Sequence, residues 1–274
     1  MTNRSATLSV EAFSNYAVIV AFVAVIIFFS IFADGFLSAD NLFNLISNRV
    51  VLLAIVALGM TIVIAAGGID LSVGVAIDLS SMVFIMMISA GYMGLWAVCG
   101  GLAAAFCVGL LNAFLINRLK IDAFLATLGV LFIGKSVQQL ATQGGNPIYL
   151  TRAEYAGTFD AITRTSLFGI PTPMIVLLVC AVAVYLAVHR SVFGRYIAAL
   201  GAQPGVAWYS GVRVQLYLSA AFIACSLLSA VTGILLSSTV RSYVPFSGDA
   251  FLLDAIGATF IGTAVSSERR PSVL

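Results

Sequence analysis

Charge is what this sequence has least of: Asp, Glu, Lys and Arg together make up 9% of its 274 residues, against about 25% in an ordinary soluble domain. With 61% hydrophobic residues and a mean hydropathy of +1.11, that scarcity excludes a water-soluble fold, because a core of this size cannot hide so much apolar surface. A concentrated basic block is also missing from a chain whose net charge is +2, which removes the electrostatic footprint of a nucleic-acid partner. The cysteines Cys99, Cys107, Cys180 and Cys225 form no CxxC pair and lie inside apolar runs. That pattern argues against a disulfide framework or a zinc site and for small apolar packing residues.

Long apolar runs are what remains. Crossing a hydrocarbon core takes about 20 apolar residues, and by that ruler the chain reads as an all-α bundle of eight transmembrane helices in a single transmembrane domain, 1–274. The spans fall at Tyr16 to Ala33, Val50 to Ala66, Val73 to Ala90, Leu95 to Ile116, Ala123 to Ala141, Met174 to Val188, Leu216 to Ser238 and Phe251 to Val265. The first run is too long for a signal-peptide core and lacks a clean cleavage site, so it reads as a retained span. Placing the N-terminus inside puts Arg4, Arg118, Lys120, Arg190, Arg195, Arg213, Arg269 and Arg270 on the cytoplasmic side, as the positive-inside rule favours. The fourth span carries Gly100, Gly101, Ala104, Ala105 and Gly109, a spacing that lets helices approach closely.

Three connections are long. Residues 34–49 alternate apolar and polar and are expected as an amphipathic segment at the outer surface. Residues 142–173 carry Gly144, Gly145, Pro147, Pro171 and Pro173 with Tyr149, Tyr155, Phe159 and Phe168, and read as an external loop with aromatic anchors at the membrane interface. Residues 189–214 face the cytoplasm, and their punctuation predicts a short helix at Arg195 to Leu200, a turn at Gly201 to Gly205 and a helical turn at Val206 to Tyr209.

Gly129 to Ser136 satisfies the GxxxxGK[ST] phosphate-loop expression. The match is rejected, since no strand precedes it and its interior is Val-Leu-Phe-Ile within a helical run, with Lys135 placed near the outer interface. More informative is Ala65 to Gly74, where two apolar runs meet at Gly67-Gly68, Asp70 and Ser72. The glycines can turn the chain and Asp70 or Ser72 can cap the next helix. The string reads either as an interfacial turn or as a helix break at membrane depth lining a polar pathway. Asp78 lies eight residues after Asp70 and is expected on the same face of the third span. Asp70, Ser72, Asp78 and Asn112 are the candidate pathway residues, because polar groups inside a membrane face the bundle interior. Asn112, Asn117, Gln138 and Gln139 suit either a hydroxyl-rich solute or helix-to-helix links.

The strings Ala57 to Gly74, Gly109 to Ala113, Ile121 to Gly129, and Gly194-Arg195 through Ser210 to Val212 resemble the permease subunits of ribose, galactose and xylose type ABC importers, over the chain from about residue 37 onward. The resemblance implies a subunit of the bacterial inner membrane that translocates a monosaccharide and performs no covalent chemistry. It implies no cofactor in this chain, with ATP and Mg bound by a separate cytoplasmic ATPase, and a periplasmic sugar-binding protein and a second permease copy as further partners. It makes Arg195, Gly201, Pro204, Ala207, Ser210 and Gly211 the residues that couple to the ATPase, although Gln203, Val206 and Trp208 depart from the usual pattern. Leu253 to Gly262 resembles the segment before a glycine-rich turn beyond which relatives continue, so a shortened member is implied. The competing expectations are an ion-coupled secondary transporter using Asp70 and Asp78, and a non-transporting membrane scaffold.

Overall fold

The computed structural model describes residues 19–150, 156–167 and 169–265. They fall into two compact parts, the first ending at Arg49 and the second starting at Val50.

In the first part, α1 (Ile19–Phe32) is apolar along its whole length, with Phe28 and Phe32 one turn apart and their rings 4.7 Å from each other. The expected start of this span before Ile19 lies outside the described residues. Ser38 caps α2 (Ala39–Leu45) by accepting from the Asn41 amide. A π-helical turn (Ile46–Val50) follows, and with α3 (Val51–Ala65) these elements make one helical run of 27 residues. Of the segment 34–49, expected as a surface-lying amphipathic stretch, the part from Ala39 onward therefore supplies the first turns of a long helix. Its apolar residues extend the periodicity of α3, and a backbone in lipid is best satisfied by continuing the helix.

The second part is a helix bundle: α4 (Val73–Ser89), α5 (Gly94–Asn117), α6 (Ala123–Ala141), α8 (Thr172–Tyr185), α9 (Val192–Ala202), α10 (Pro204–Tyr209), α11 (Val214–Val240) and α12 (Asp249–Val265), with the short α7 (Ala156–Phe159) before α8. Among the described residues, five helical runs are long and apolar enough to cross a membrane, with shorter apolar helices beside them. Each of the eight expected spans coincides with a helix. The central α11 packs against α3, α4 and α5, and the core it organises includes Val56, Val63, Ile77, Phe222, Cys225 and Leu235. Close approach relies on the small residues of α5: a Cβ on Gly101 would stand 2.9 Å from the Ser80 carbonyl oxygen, and one on Gly109 would stand 2.8 Å from Cα of Ile223.

The two ends of α11 sort the connections. At its start, Asn117 donates to the Gln215 carbonyl and to Ser219 Oγ at 3.2 and 2.7 Å, so the turn bearing Arg118 and Lys120 gathers with Arg213 and the α9–α10 segment. At its finish, β4 (Ser242–Tyr243) pairs antiparallel with β1 (Ile148–Tyr149). Arg241 bonds Asp160 at 2.7 Å, which fixes the π-helical turn Asp160–Arg164, and β2 (Ser166–Leu167) pairs with β3 (Ile170–Pro171). Of the aromatic anchors expected in this loop, Tyr149 is exposed and Phe159 is buried edge-on against Phe84 with centroids 6.1 Å apart. Phe159 is thus a core residue, because α7 folds back onto α4. Tyr155 and Phe168 lie outside the described residues. All of Gly129 to Ser136 is helical, inside α6, which leaves no phosphate cradle there.

Candidate functional site

The chain breaks between α3 and α4 because Ala66-Gly67-Gly68 ends the first helix. Gly67 adopts φ +84, and the amides of Gly67 and Gly68 bond the carbonyls of Ile64 and Val63 at 3.0 Å each, a left-handed glycine closure of the helix C-terminus. After four intervening residues α4 starts at Val73. Ser72 occupies its N-cap position but makes no capping bond. Instead Asp70 Oδ1 accepts from the Ser72 amide at 2.9 Å and from Ser72 Oγ at 2.6 Å, so the carboxyl closes the turn and the hydroxyl is left to accept elsewhere. It accepts from Asn112 Nδ2 of α5 at 2.7 Å. Thr127 of α6 donates to the Ile69 carbonyl at 3.3 Å, and the Cys225 thiol of α11 stands beside the Asp70 carboxyl. Asp70, Ser72 and Asn112 are all fully buried, at 0% exposure. Three of the four predicted pathway residues are thereby brought together.

Asp78 belongs to a second cluster. Its Oδ1 accepts from the Gly248 amide at 2.8 Å and from Ser247 Oγ at 3.1 Å. Gln138 of α6 neighbours the same carboxyl, and its Oε1 accepts from the Tyr243 hydroxyl at 2.9 Å and the Phe246 amide at 3.1 Å. The segment 242–248 is thus pinned by α4 and α6, and its backbone meets the start of α4 where a Cβ on Gly74 would lie 3.0 Å from Gly248. The expectation that Asp70 and Asp78 share one face of a span is corrected. Asp70 precedes α4, in the non-helical break, so the helical count of eight residues does not apply, and the two carboxyls take different partners. Neither is paired with a basic residue among the described residues.

The third feature is the segment 189–214. Ser191 caps α9 through the Gly194 amide, Gln203 breaks the helix with φ −153, and Pro204 opens α10 at a position where no amide is needed. Arg195 and Ser210 are exposed, Ala207 is buried, and Gly211 turns the chain out with φ +79. Between the two helices runs a groove of about 540 Å³ lined by Arg195, Ala199, Ala202, Gln203, Val206 and Ser210. Gly201 touches the break between α3 and α4: a Cβ on Gly67 would stand 3.1 Å from Cα of Gly201. One on Gly201 would be driven into the Ala65 carbonyl.

Sequence reasoning did not single out Gly248, Ser247 or Cys225 as partners of the two aspartates, or Tyr243 as the partner of Gln138. Each is more than a hundred residues from its partner along the chain, and no local spacing signals that.

The family described as branched-chain amino acid transport system / permease component matches residues 42–271. The chain belongs to this permease family. Its similar relatives include the ribose import permease protein RbsC of Bacillus subtilis (strain 168), 34% identical over 89% of this chain and 75% of the relative. The ribose import permease protein RbsC of Escherichia coli (strain K12) is 30% identical over 89% of this chain and 75% of its own. The autoinducer 2 import system permease protein LsrD of Escherichia coli O9:H4 (strain HS) is 32% identical over 82% and 68%. No solved structure matches the chain. As a member of the family, it is a transport subunit of an ABC importer, a multi-pass protein of the bacterial inner membrane.

Proposed function

We propose that this permease imports a monosaccharide of the ribose class, driven by a separate cytoplasmic ATPase that binds ATP and Mg and docks on α9 and α10, with a periplasmic sugar-binding protein delivering the solute to a pair of permease subunits. The single observation that carries the reading is the contact of Gly201 with Gly67. A push on α9 reaches the helix break with no flexible side chain between, because two backbones in van der Waals contact cannot absorb a displacement. The break carries Asp70 and Ser72, and through Asn112 it holds α5, so movement at the groove rearranges buried polar groups inside the bundle. That is the form of a rigid-body switch between outward-open and inward-open states. The exposed, largely apolar surface of α10, with Val206, Trp208 and Tyr209, is the docking face for the ATPase.

The test is uptake of labelled ribose into proteoliposomes containing the permease, the ATPase and the binding protein. ATP-dependent uptake is expected, and it is lost when the ATPase is left out. Uptake that persists without the ATPase and collapses with the proton gradient would instead establish the ion-coupled transporter, with Asp70 and Asp78 as cation sites. ATPase binding with no uptake would establish the scaffold.

A further inference from the structure

The start of α11 gathers basic residues that the chain itself does not neutralise. Arg118 and Lys120, in the turn between α5 and α6, and Arg190, Arg195 and Arg213, around α9 and α10, are all exposed. No side chain among them has an ion-pair or hydrogen-bond partner among the described residues. The only acid in residues 117–123 and 189–214 is Asp122, and its carboxyl is occupied by the amides of Phe124 and Leu125 at the start of α6. Beyond the other end of α11 the pattern differs: Lys135 pairs with Asp249 at 2.6 Å, and Arg241 and Arg164 both meet Asp160, at 2.7 and 3.5 Å. The positive-inside preference concentrates basic residues on one side of a membrane but is nearly indifferent to acids, so it does not explain why acids accompany the cations at one end and not at the other. Unpaired like charges gathered on one surface repel each other, and an approaching anionic surface relieves that repulsion.

The same end holds the groove between α9 and α10. Its volume of about 540 Å³ is that of roughly one helical turn with its side chains. Arg195 is its only charged lining residue, set against the apolar Ala199, Ala202 and Val206. Trp208 and Tyr209 stand exposed on α10. Arg, Trp and Tyr are the side chains in which protein interfaces concentrate binding energy, which favours a protein over a lipid head group as the anionic partner. We infer that the ATPase meets this end of the permease with an acidic face: one of its carboxylates pairs with Arg195, an apolar side chain of the same segment enters between Ala199, Ala202 and Val206, and further carboxylates face Arg118, Lys120, Arg190 and Arg213. This rests on the docking reading above and adds the chemistry that the partner must carry. A planar guanidinium takes a carboxylate through two parallel hydrogen bonds, so Arg195 fixes the register of the partner. The outlying cations steer the encounter and set its rate more than the strength of the final contact.

The experiment captures the importer's full-length ATPase on immobilised permease held in phosphatidylcholine nanodiscs, with association and dissociation followed separately. Raising salt from about 50 to about 500 mM should slow association at least about tenfold. Arg195→Gln should speed dissociation about tenfold, and Arg195→Lys, which keeps the charge, should do so much less. Lys120→Gln and Arg213→Gln should slow association and leave dissociation unchanged. These side chains are exposed and unpartnered, so each variant should melt at the temperature of the unsubstituted permease, which separates lost docking from lost folding. Capture that Trp208→Ala weakens, but that neither salt nor Arg195→Gln affects, would overturn the acidic face and leave docking on α9 and α10 in place. Capture untouched by Trp208→Ala and Arg195→Gln alike would remove the docking reading and the acidic face with it. Salt-insensitive capture, together with a melting temperature raised when phosphatidylglycerol replaces part of the phosphatidylcholine, would assign the cations to lipid head groups and equally overturn the acidic face.

Discussion

Asn112 donates to Ser72 across 2.7 Å, and that bond joins α5 to a stretch of chain that has no helix of its own. Ser72 has committed its one hydrogen to Asp70, so towards α5 its oxygen can only accept. Asn112→Leu leaves the Ser72 oxygen buried without its donor, which costs about 1–3 kcal/mol. Thermal unfolding of the purified permease in detergent should show that loss, and the variant should fall well below Asn117→Leu, whose bonds to Gln215 and Ser219 are part-exposed.

Asp70 gives a second, graded outcome. One oxygen receives both the amide and the hydroxyl of Ser72. Asp70→Asn keeps a carbonyl oxygen for those two donors and removes a charge that has no basic partner, whereas Asp70→Ala abandons two buried donors at once. Stability should therefore rank Asp70→Ala lowest, by about 2–4 kcal/mol if each unmet donor costs the usual penalty, with Asp70→Asn near the unsubstituted protein. Equal loss in the two variants, measured by unfolding midpoint, would mean that the carboxylate charge itself holds the turn.

The spans were legible because lipid enforces a simple code: apolar runs of sufficient length must be helices, and Val73 to Ala90 or Ala123 to Ala141 could hardly be read otherwise. The break at Gly67-Gly68 was legible for a related reason, since two glycines followed by Asp70 and Ser72 cannot continue an apolar helix cheaply. The role of Ser72 was not. Its position says N-cap, but its hydroxyl donates to Asp70 and accepts from Asn112 instead of reaching an amide in the first turn of α4. The partnership of Asp78 with Ser247 and Gly248 is set by how α12 returns to α4, and neither periodicity nor spacing carries that information. Residues 34–49 misled because interrupted apolar patterning looks alike in a surface helix and in the first turns of a long span.

Lys135 and Asp249 connect α6 to the start of α12 at 2.6 Å with both side chains about one-third exposed. Partial exposure limits what the pair contributes, so a double-mutant cycle with Lys135→Ala and Asp249→Ala should return a coupling of about 0.5–1 kcal/mol. The coupling should shrink as salt is raised to about 1 M, where screening acts within about 3 Å. A coupling that ignored salt would place the pair in a dry environment instead.

Gly248 and Gly74 offer a steric test of how tightly segment 242–248 is held. Their backbones are already in contact, and a methyl group on Gly248 would press into the Gly74 carbonyl. Gly248→Ala must push α12 away from α4 and strain the bonds that Asp78 accepts from Ser247 and the residue-248 amide, an overpacking cost of about 1–3 kcal/mol. Gly257→Ala on the same helix, where the added carbon meets open space, should cost nothing measurable in the same melting assay and serves as the control.

Trp208 and Tyr209 decide whether α10 is a docking face. They stand exposed at 63% and 85%, with rings edge-on at 4.8 Å. Aromatic pairs of this kind anchor interfaces, where truncating one commonly costs 2 kcal/mol or more, about 30-fold in affinity. Trp208→Ala should therefore weaken capture of the ATPase by the immobilised permease by about that factor, with the permease's own melting temperature nearly unchanged because Trp208 is mostly exposed. Tyr149→Ala, equally aromatic and exposed but at the opposite end of α11 beside β4, should leave ATPase capture untouched. If Tyr149→Ala weakened capture and Trp208→Ala did not, the ATPase would be docking at the other end of the bundle, and the contact between Gly201 and Gly67 could no longer be the route by which its force enters the membrane.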